Sequence, residues 1–338
     1  MINNLSLIAG IVVGGYVLTS ILKIKESFGP ALCIAVSMAV LEMGGAFGVL
    51  WPAAIIYCIA AGVLSVAYIA RARNKADMKA YFFNPSIIGF LFAALLYIIL
   101  SFGKTLFYTG WDSFMHWGIF SKNVFYSHNL DVWNNDFFVN HRVYPHGMAA
   151  WYSLFALGKR TYEERDIMLS INVLLFACSC PIVDLAVCKI RKLLPDKKIL
   201  SVIVYLVSGI SVASFLWIWR FGEGVWAYTS GYMDIPLGAA FMAALCLAVT
   251  DGAGYYCKAL GVSLLSAMLV MIKPSGIIFV GVVCLVYLVD GYFSKGFQMI
   301  SNAKLFLGGG TEHLYSADGI RYMEYHDEIP WNNRRRSI

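Results

Sequence analysis

The stretch Ile87–Leu106, IIGFLFAALLYIILSFGKTL, decides the fold class, because its only charged residue is Lys104 near the end. A helix of that length rises about 30 Å, the thickness of a bilayer's hydrocarbon core. No water there can serve the backbone, so the segment must close its hydrogen bonds internally as a helix. Working outward, eight more runs read the same way: Leu5–Leu22, Ala31–Leu50, Ala53–Ala70, Met168–Val187, Ile199–Trp217, Ile235–Thr250, Ala259–Ile272 and Ile277–Leu288. The whole chain, 338 residues, is 59% hydrophobic and 14% charged, against about a quarter charged for a soluble domain. A disordered chain, a secreted disulfide scaffold and an ordinary cytosolic enzyme are excluded. The expectation is an all-α polytopic membrane protein with about nine spans. The first run lacks a basic leader and is followed by Lys23 and Lys25, so it reads as a retained span. The net charge of +6 does not point to nucleic acid, because the basic residues lie between apolar runs. The eight Cys lie within those runs or at their ends, and no disulfide framework follows.

A tenth run, Gly147–Leu157, is short, follows Pro145 and carries Trp151, Tyr152 and Ser153. It reads as a helix lying on the membrane. If it does not cross, 18 of the 26 Lys and Arg fall on the cytoplasmic side, including the dense cluster Lys189–Lys198, and 8 fall outside. If it crosses, every later segment flips and the division becomes 11 to 15. The first arrangement obeys the positive-inside rule and the second violates it. The N-terminus is then external and the C-terminus cytoplasmic. A long external loop runs from about Phe107 to Arg165, and a second from Trp219 to Asp234. Eight of the nine Trp lie at or near the outer face, Trp331 being the exception. An aromatic belt accounts for most of them, and Trp111 and Trp117 inside the polar loop also suit stacking on sugar or lipid.

The long loop holds His116, His128, His141 and His146 with Asp112, Asp131 and Asp136. Asp112 and His116 are four residues apart, on one face of a helix. They suit a base with its partner, or two metal ligands; the ordinary alternative is that Asp112 caps a helix. Asp234, with Pro236 in the first turn of the next span, is open to the same two readings. Arg220 and Glu223 share the second loop, and Lys273-Pro274 closes the next external turn. Cations beside carboxylates suit a phosphate-bearing lipid headgroup and a general base, whereas helix-end snorkelling accounts equally for Arg220 and Lys273. Glu42, mid-span in Ala31–Leu50, should face other helices, with Ser37 or another span as its partner, or else act as a transporter's coupling carboxylate. Asp184, near a cytoplasmic helix end, is expected to pair with Lys189 or Arg191.

Four motifs occur in order over about Ile87 to Leu288. They are Gly110-Trp111-Asp112-Ser113-Phe114-Met115-His116-Trp117-Gly118, Tyr144-Pro145-His146-Gly147, Tyr232-Met233-Asp234-Ile235-Pro236-Leu237 and Ile272-Lys273-Pro274-Ser275-Gly276. This pattern resembles the bacterial polytopic glycosyltransferases of the GT-C superfamily, the group that includes aminoarabinose transferases and protein O-mannosyltransferases. Ser113 stands where a second acid often follows the first, and His146 where a second Pro is usual. The resemblance implies a GT-C-like helix bundle with membrane-lying helices in the first long external loop. Residues 1–86 form an N-terminal three-span segment, 87–290 the core with its loop 107–166, and 291–338 a polar cytoplasmic tail.

The implied activity is transfer of a sugar from a polyprenyl-phosphate donor to a glycan, lipid or protein acceptor, on the outer side of the bacterial plasma membrane. Asp112 would be the catalytic base, with His116 and Asp234 beside it. Arg220 and Lys273 would face the lipid phosphate, and Trp117, Tyr144, His141 and Glu223 would line the substrate site. A divalent cation, where one is used, would sit on Asp112, His116 and Asp234. A transporter or flippase of lipid-linked saccharides is the alternative, as is an inactive subunit of the same fold.

Overall fold

In the computed structural model the described residues are 2–71, 75–101, 117–130, 145–192, 233–250 and 254–295. All of their regular structure is helical. The helices are α1 (Ile2–Leu22), α2 (Gly29–Ala46), α3 (Leu50–Arg71), α4 (Lys75–Phe82), α5 (Pro85–Ser101), α6 (Gly118–Ser127), α7 (Gly147–Ala156), α8 (Glu164–Lys192), α9 (Asp234–Val249), α10 (Tyr255–Ile272) and α11 (Gly276–Lys295). A 3-10 turn, Glu26–Phe28, leads into α2, which carries Pro30 at its start, where a missing N–H costs nothing.

Six of these helices are long and apolar enough to cross a bilayer: Asn3–Leu22, Glu26–Ala46, Leu50–Arg71, Glu164–Lys189, Tyr255–Ile272 and Gly276–Phe293. Pro85–Ser101 and Asp234–Val249 are shorter apolar helices. The chain is an α-helical, multi-pass membrane protein. Every expected run that falls among the described residues is a helix; Ile199–Trp217 lies outside them.

The helices sort into an inner and an outer set. The apolar windows of α2 and α8 are each 72% buried in protein, whereas those of α3 and α11 are 6% and 11% buried. On α3, Ile55, Ile56, Ile59, Val63, Leu64 and Val66 are exposed. A soluble protein does not leave so large an apolar face to water; lipid covers it here. Helix α2 packs on α1, α3, α7 and α10, and α8 packs on α5 and α9. Residues Met1–Ser294 form one compact unit, within which the segment before residue 86 packs directly on the later helices. The second unit, Lys295–Ile338, lies outside the described residues apart from Lys295.

Helix α7 does not cross. Its ten residues rise about 15 Å. The long-range contacts agree. Asn3 Nδ2 donates to the Leu157 carbonyl at 3.3 Å, and Lys25 Nζ pairs with Asp184 at 2.5 Å. A crossing at α7 would put each of these pairs on opposite sides of the membrane. Lys258 and Asp290, paired at 3.0 Å, also fall on one side. The end of α7 and the start of α8 therefore share an end of the bundle with the chain's start, termed the long-loop end.

Four expectations are corrected. Helix α7 is not spread on the bilayer surface: every residue from Gly147 to Ala156 is buried in protein. Trp151 is a core residue and not part of an aromatic belt, because its indole N–H donates to the Ser170 carbonyl at 2.9 Å. Asp184 pairs across the bundle with Lys25 and Ser27, in place of the expected Lys189 or Arg191; the Arg191 side chain lies outside the described residues. The Ser37 hydroxyl meets Tyr57 of α3 at 2.6 Å and the Cys33 carbonyl at 2.8 Å, so it does not serve Glu42.

Candidate functional site

Two turns meet at the long-loop end. Helix α10 stops at Ile272 because Lys273 is extended (φ −155°, ψ 146°) and precedes Pro274. The chain reverses through Pro274 and Ser275 and restarts at Gly276, whose N–H donates to the Lys273 carbonyl at 2.9 Å. A Cβ at Gly276 would stand 2.1 Å from the Leu269 carbonyl oxygen, so the turn closes only with glycine. This geometry aims the Lys273 side chain at α9, where Nζ lies 2.6 Å from Asp234 Oδ1. Asp234 opens α9, but the capping position belongs to Met233, which makes no side-chain cap bond. The carboxylate is held by the ammonium and complements the positive helix end. The Asp234 side chain is 62% exposed and that of Lys273 24%. Exposed pairs of this kind are worth about 0–1 kcal/mol, so stability gives little reason to place them here.

A third motif joins these two. Gly147, the first residue of α7, lies against the end of α10: a Cβ there would be 2.5 Å from Met271 Cβ and 2.6 Å from its carbonyl oxygen. The segment Pro145-His146-Gly147 is thereby seated beside Met271-Ile272-Lys273. His146 takes the capping position of α7. Burial lowers its pKa and favours the neutral ring, which meets Phe120 of α6 edge-on at 5.6 Å.

On the other side of His146 stands Glu42. Sequence reading puts it mid-span, but α2 ends at Ala46, so Glu42 lies in the last turns, at the long-loop end. Its carboxylate lies beside the His146 backbone amide. Glu42 Oε2 and His146 Nε2 are both buried without a hydrogen-bond partner among the described residues. Each such atom costs about 1–3 kcal/mol. Both residues line a cavity of about 590 Å³ with Asn129 and the α2–α3 turn. Nearby, the rings of Trp51 and His128 stack at 4.4 Å.

Of the residues expected at the site, Asp234 and Lys273 are brought together. Trp117 is 4% exposed and packs in the apolar core at the start of α6. Asp112, His116, His141, Tyr144, Arg220 and Glu223 lie outside the described residues. Among the described residues no three His, Cys, Asp or Glu are placed to hold a metal ion. The Lys273 ammonium on the Asp234 carboxylate also opposes a cation there, so Asp234 as seen does not fit a metal ligand. Sequence reasoning missed His146 and Asn129 as cavity residues. The available signal was His146 standing where the motif has proline. No family model matches the chain, and no curated protein or solved structure shows significant similarity to it.

Proposed function

We propose that the chain is a bacterial plasma-membrane glycosyltransferase of GT-C type, moving a sugar from a polyprenyl-phosphate donor to an acceptor on the outer side. The observation that carries this reading is the Asp234–Lys273 pair at 2.6 Å, which joins the third and fourth motifs at one end of the bundle. Gly147 against Met271 adds the second motif to the same place. In this reading the positive-inside count makes the long-loop end external.

The chemistry divides among the chain's own residues. Asp112 takes the proton of the acceptor hydroxyl, which attacks the anomeric carbon from the face opposite the phosphate. The bond to the lipid phosphate breaks, and that phosphate leaves with the electron pair. Lys273, held extended by the Pro274 turn, presents its ammonium to the departing phosphate, aided by Arg220. Asp234 keeps Lys273 in place between turnovers. Charge that develops on the leaving group is stabilised most by groups already fixed before reaction.

The test uses purified protein in nanodiscs with a panel of radiolabelled polyprenyl-phosphate sugars. Label should move to a glycan, lipid or protein acceptor, and Asp112→Asn should slow transfer about 10²–10⁴-fold. Transfer unaffected by Asp112→Asn removes the base; absence of transfer from every donor removes the activity.

A further inference from the structure

The cavity at the end of α2 is not used by the transfer reaction just described. Its wall includes Glu42, Phe47, Gly48, Asn129 and His146. Two polar atoms in it, Glu42 Oε2 and His146 Nε2, are buried without partners among the described residues. Asn129 uses its carbonyl oxygen to accept the Leu130 N–H at 2.8 Å, which leaves its NH2 group as a donor. The wall therefore combines an acceptor-only carboxylate, a donor amide and an imidazole that accepts or donates according to tautomer.

This mixture selects against simple ions. An anion would meet the Glu42 carboxylate, and a bare cation, which accepts no hydrogen bond, would leave the amide donor unpaired. Hydroxyl groups both donate and accept, so two neighbouring hydroxyls satisfy a carboxylate, an amide and an imidazole together. Phe47, 78% exposed, supplies an apolar face for the C–H side of the same ligand. The volume lies within the range of ligand pockets, about 300–1,000 Å³.

We propose that this cavity binds a vicinal diol, presented by a saccharide or by the glycerol headgroup of a lipid. The binding does not depend on the transfer reaction, and the two are separable by experiment.

The test is saturation-transfer difference NMR on the whole protein in phosphatidylcholine nanodiscs. The probes are glycerol and the methyl glycosides of glucose, galactose and mannose; ethylammonium and inorganic phosphate represent the other ligand classes. At least one diol should give a saturable signal, weakened tenfold or more by Glu42→Gln and by His146→Ala. The unfolding midpoint of Glu42→Gln should stay level or rise, since the cost of burying a carboxylate charge is removed. Phosphatidylglycerol added to the discs should compete if the diol comes from a lipid headgroup, and leave glycoside binding intact if it comes from a saccharide. Asp112→Asn should slow transfer and spare diol binding, so either proposal can fail alone. The inference is overturned if no diol binds the wild type, if ethylammonium or phosphate binds instead, if Glu42→Gln binds diols normally, or if its midpoint falls.

Discussion

Lys159 and Asp166 show what a buried charge does in this bundle. Asp166 is fully buried at the start of α8, and its carboxylate takes the Lys159 ammonium at 2.5 Å, with Lys159 15% exposed. Removing one partner of such a pair leaves an uncompensated buried charge, which costs about 3–5 kcal/mol. Lys159→Met should therefore lower the thermal unfolding midpoint sharply, while Asp166→Asn combined with Lys159→Met should recover most of the loss. Equal midpoints for the single variant and the wild type would show that water reaches Asp166. The Asp234–Lys273 pair is the contrast: it is exposed, and its stability worth is about 0–1 kcal/mol. Sequence distinguishes these two pairs poorly. Both are single charges beside apolar runs, and depth is set by which helices close over them.

At the scale of the element, the ends of helices carry the specificity. The turn Lys273–Gly276 and the start of α7 both depend on the missing Cβ of glycine, at Gly276 and Gly147. Gly147→Val should force α7 away from Met271, separate His146 from Lys273 and reduce protein recovered in folded form, read by detergent-solubilised gel filtration. Gly276→Ala should act in the same direction through the Leu269 carbonyl. A monodisperse Gly147→Val protein with an unchanged midpoint would contradict the close approach.

These contacts also mark how far the sequence is legible. The spans are plain, because an apolar run in a bilayer has no structural alternative to the helix. What lies beside each run is not plain. Lipid and protein bury an Ala–Trp–Leu–Phe surface equally well, so the composition of α7 does not tell a membrane-lying helix from the buried one observed. Ser37 and Glu42 lie within one helix, yet the hydroxyl goes to Tyr57 on α3 and the carboxylate to the His146 backbone, both remote in sequence. The Asp234–Lys273 convergence was legible through the order of motifs and their common sidedness. The first motif's Asp112 and His116 lie outside the described residues.

At the scale of the whole molecule, every polar feature with a proposed role depends on α7 turning back within the bundle. Glu42, His146, Asp234 and Lys273 share one end only in that arrangement. Asn3–Leu157 and Lys25–Asp184 require it from two independent parts of the chain. In the proposed reading, the positive-inside distribution of Lys and Arg makes that end the outer one. Ser127 precedes α7 and Arg160 follows it, and both are exposed. The most direct measurement is labelling of single cysteines at these two positions, in a background without the native Cys, by a membrane-impermeant maleimide on intact cells. Lys23 and Lys189, exposed at the opposite end, serve as the matching pair. Ser127→Cys and Arg160→Cys should both label, and Lys23→Cys and Lys189→Cys should label only after the cells are opened. Labelling of Ser127→Cys but not Arg160→Cys would make α7 a crossing helix and contradict the account.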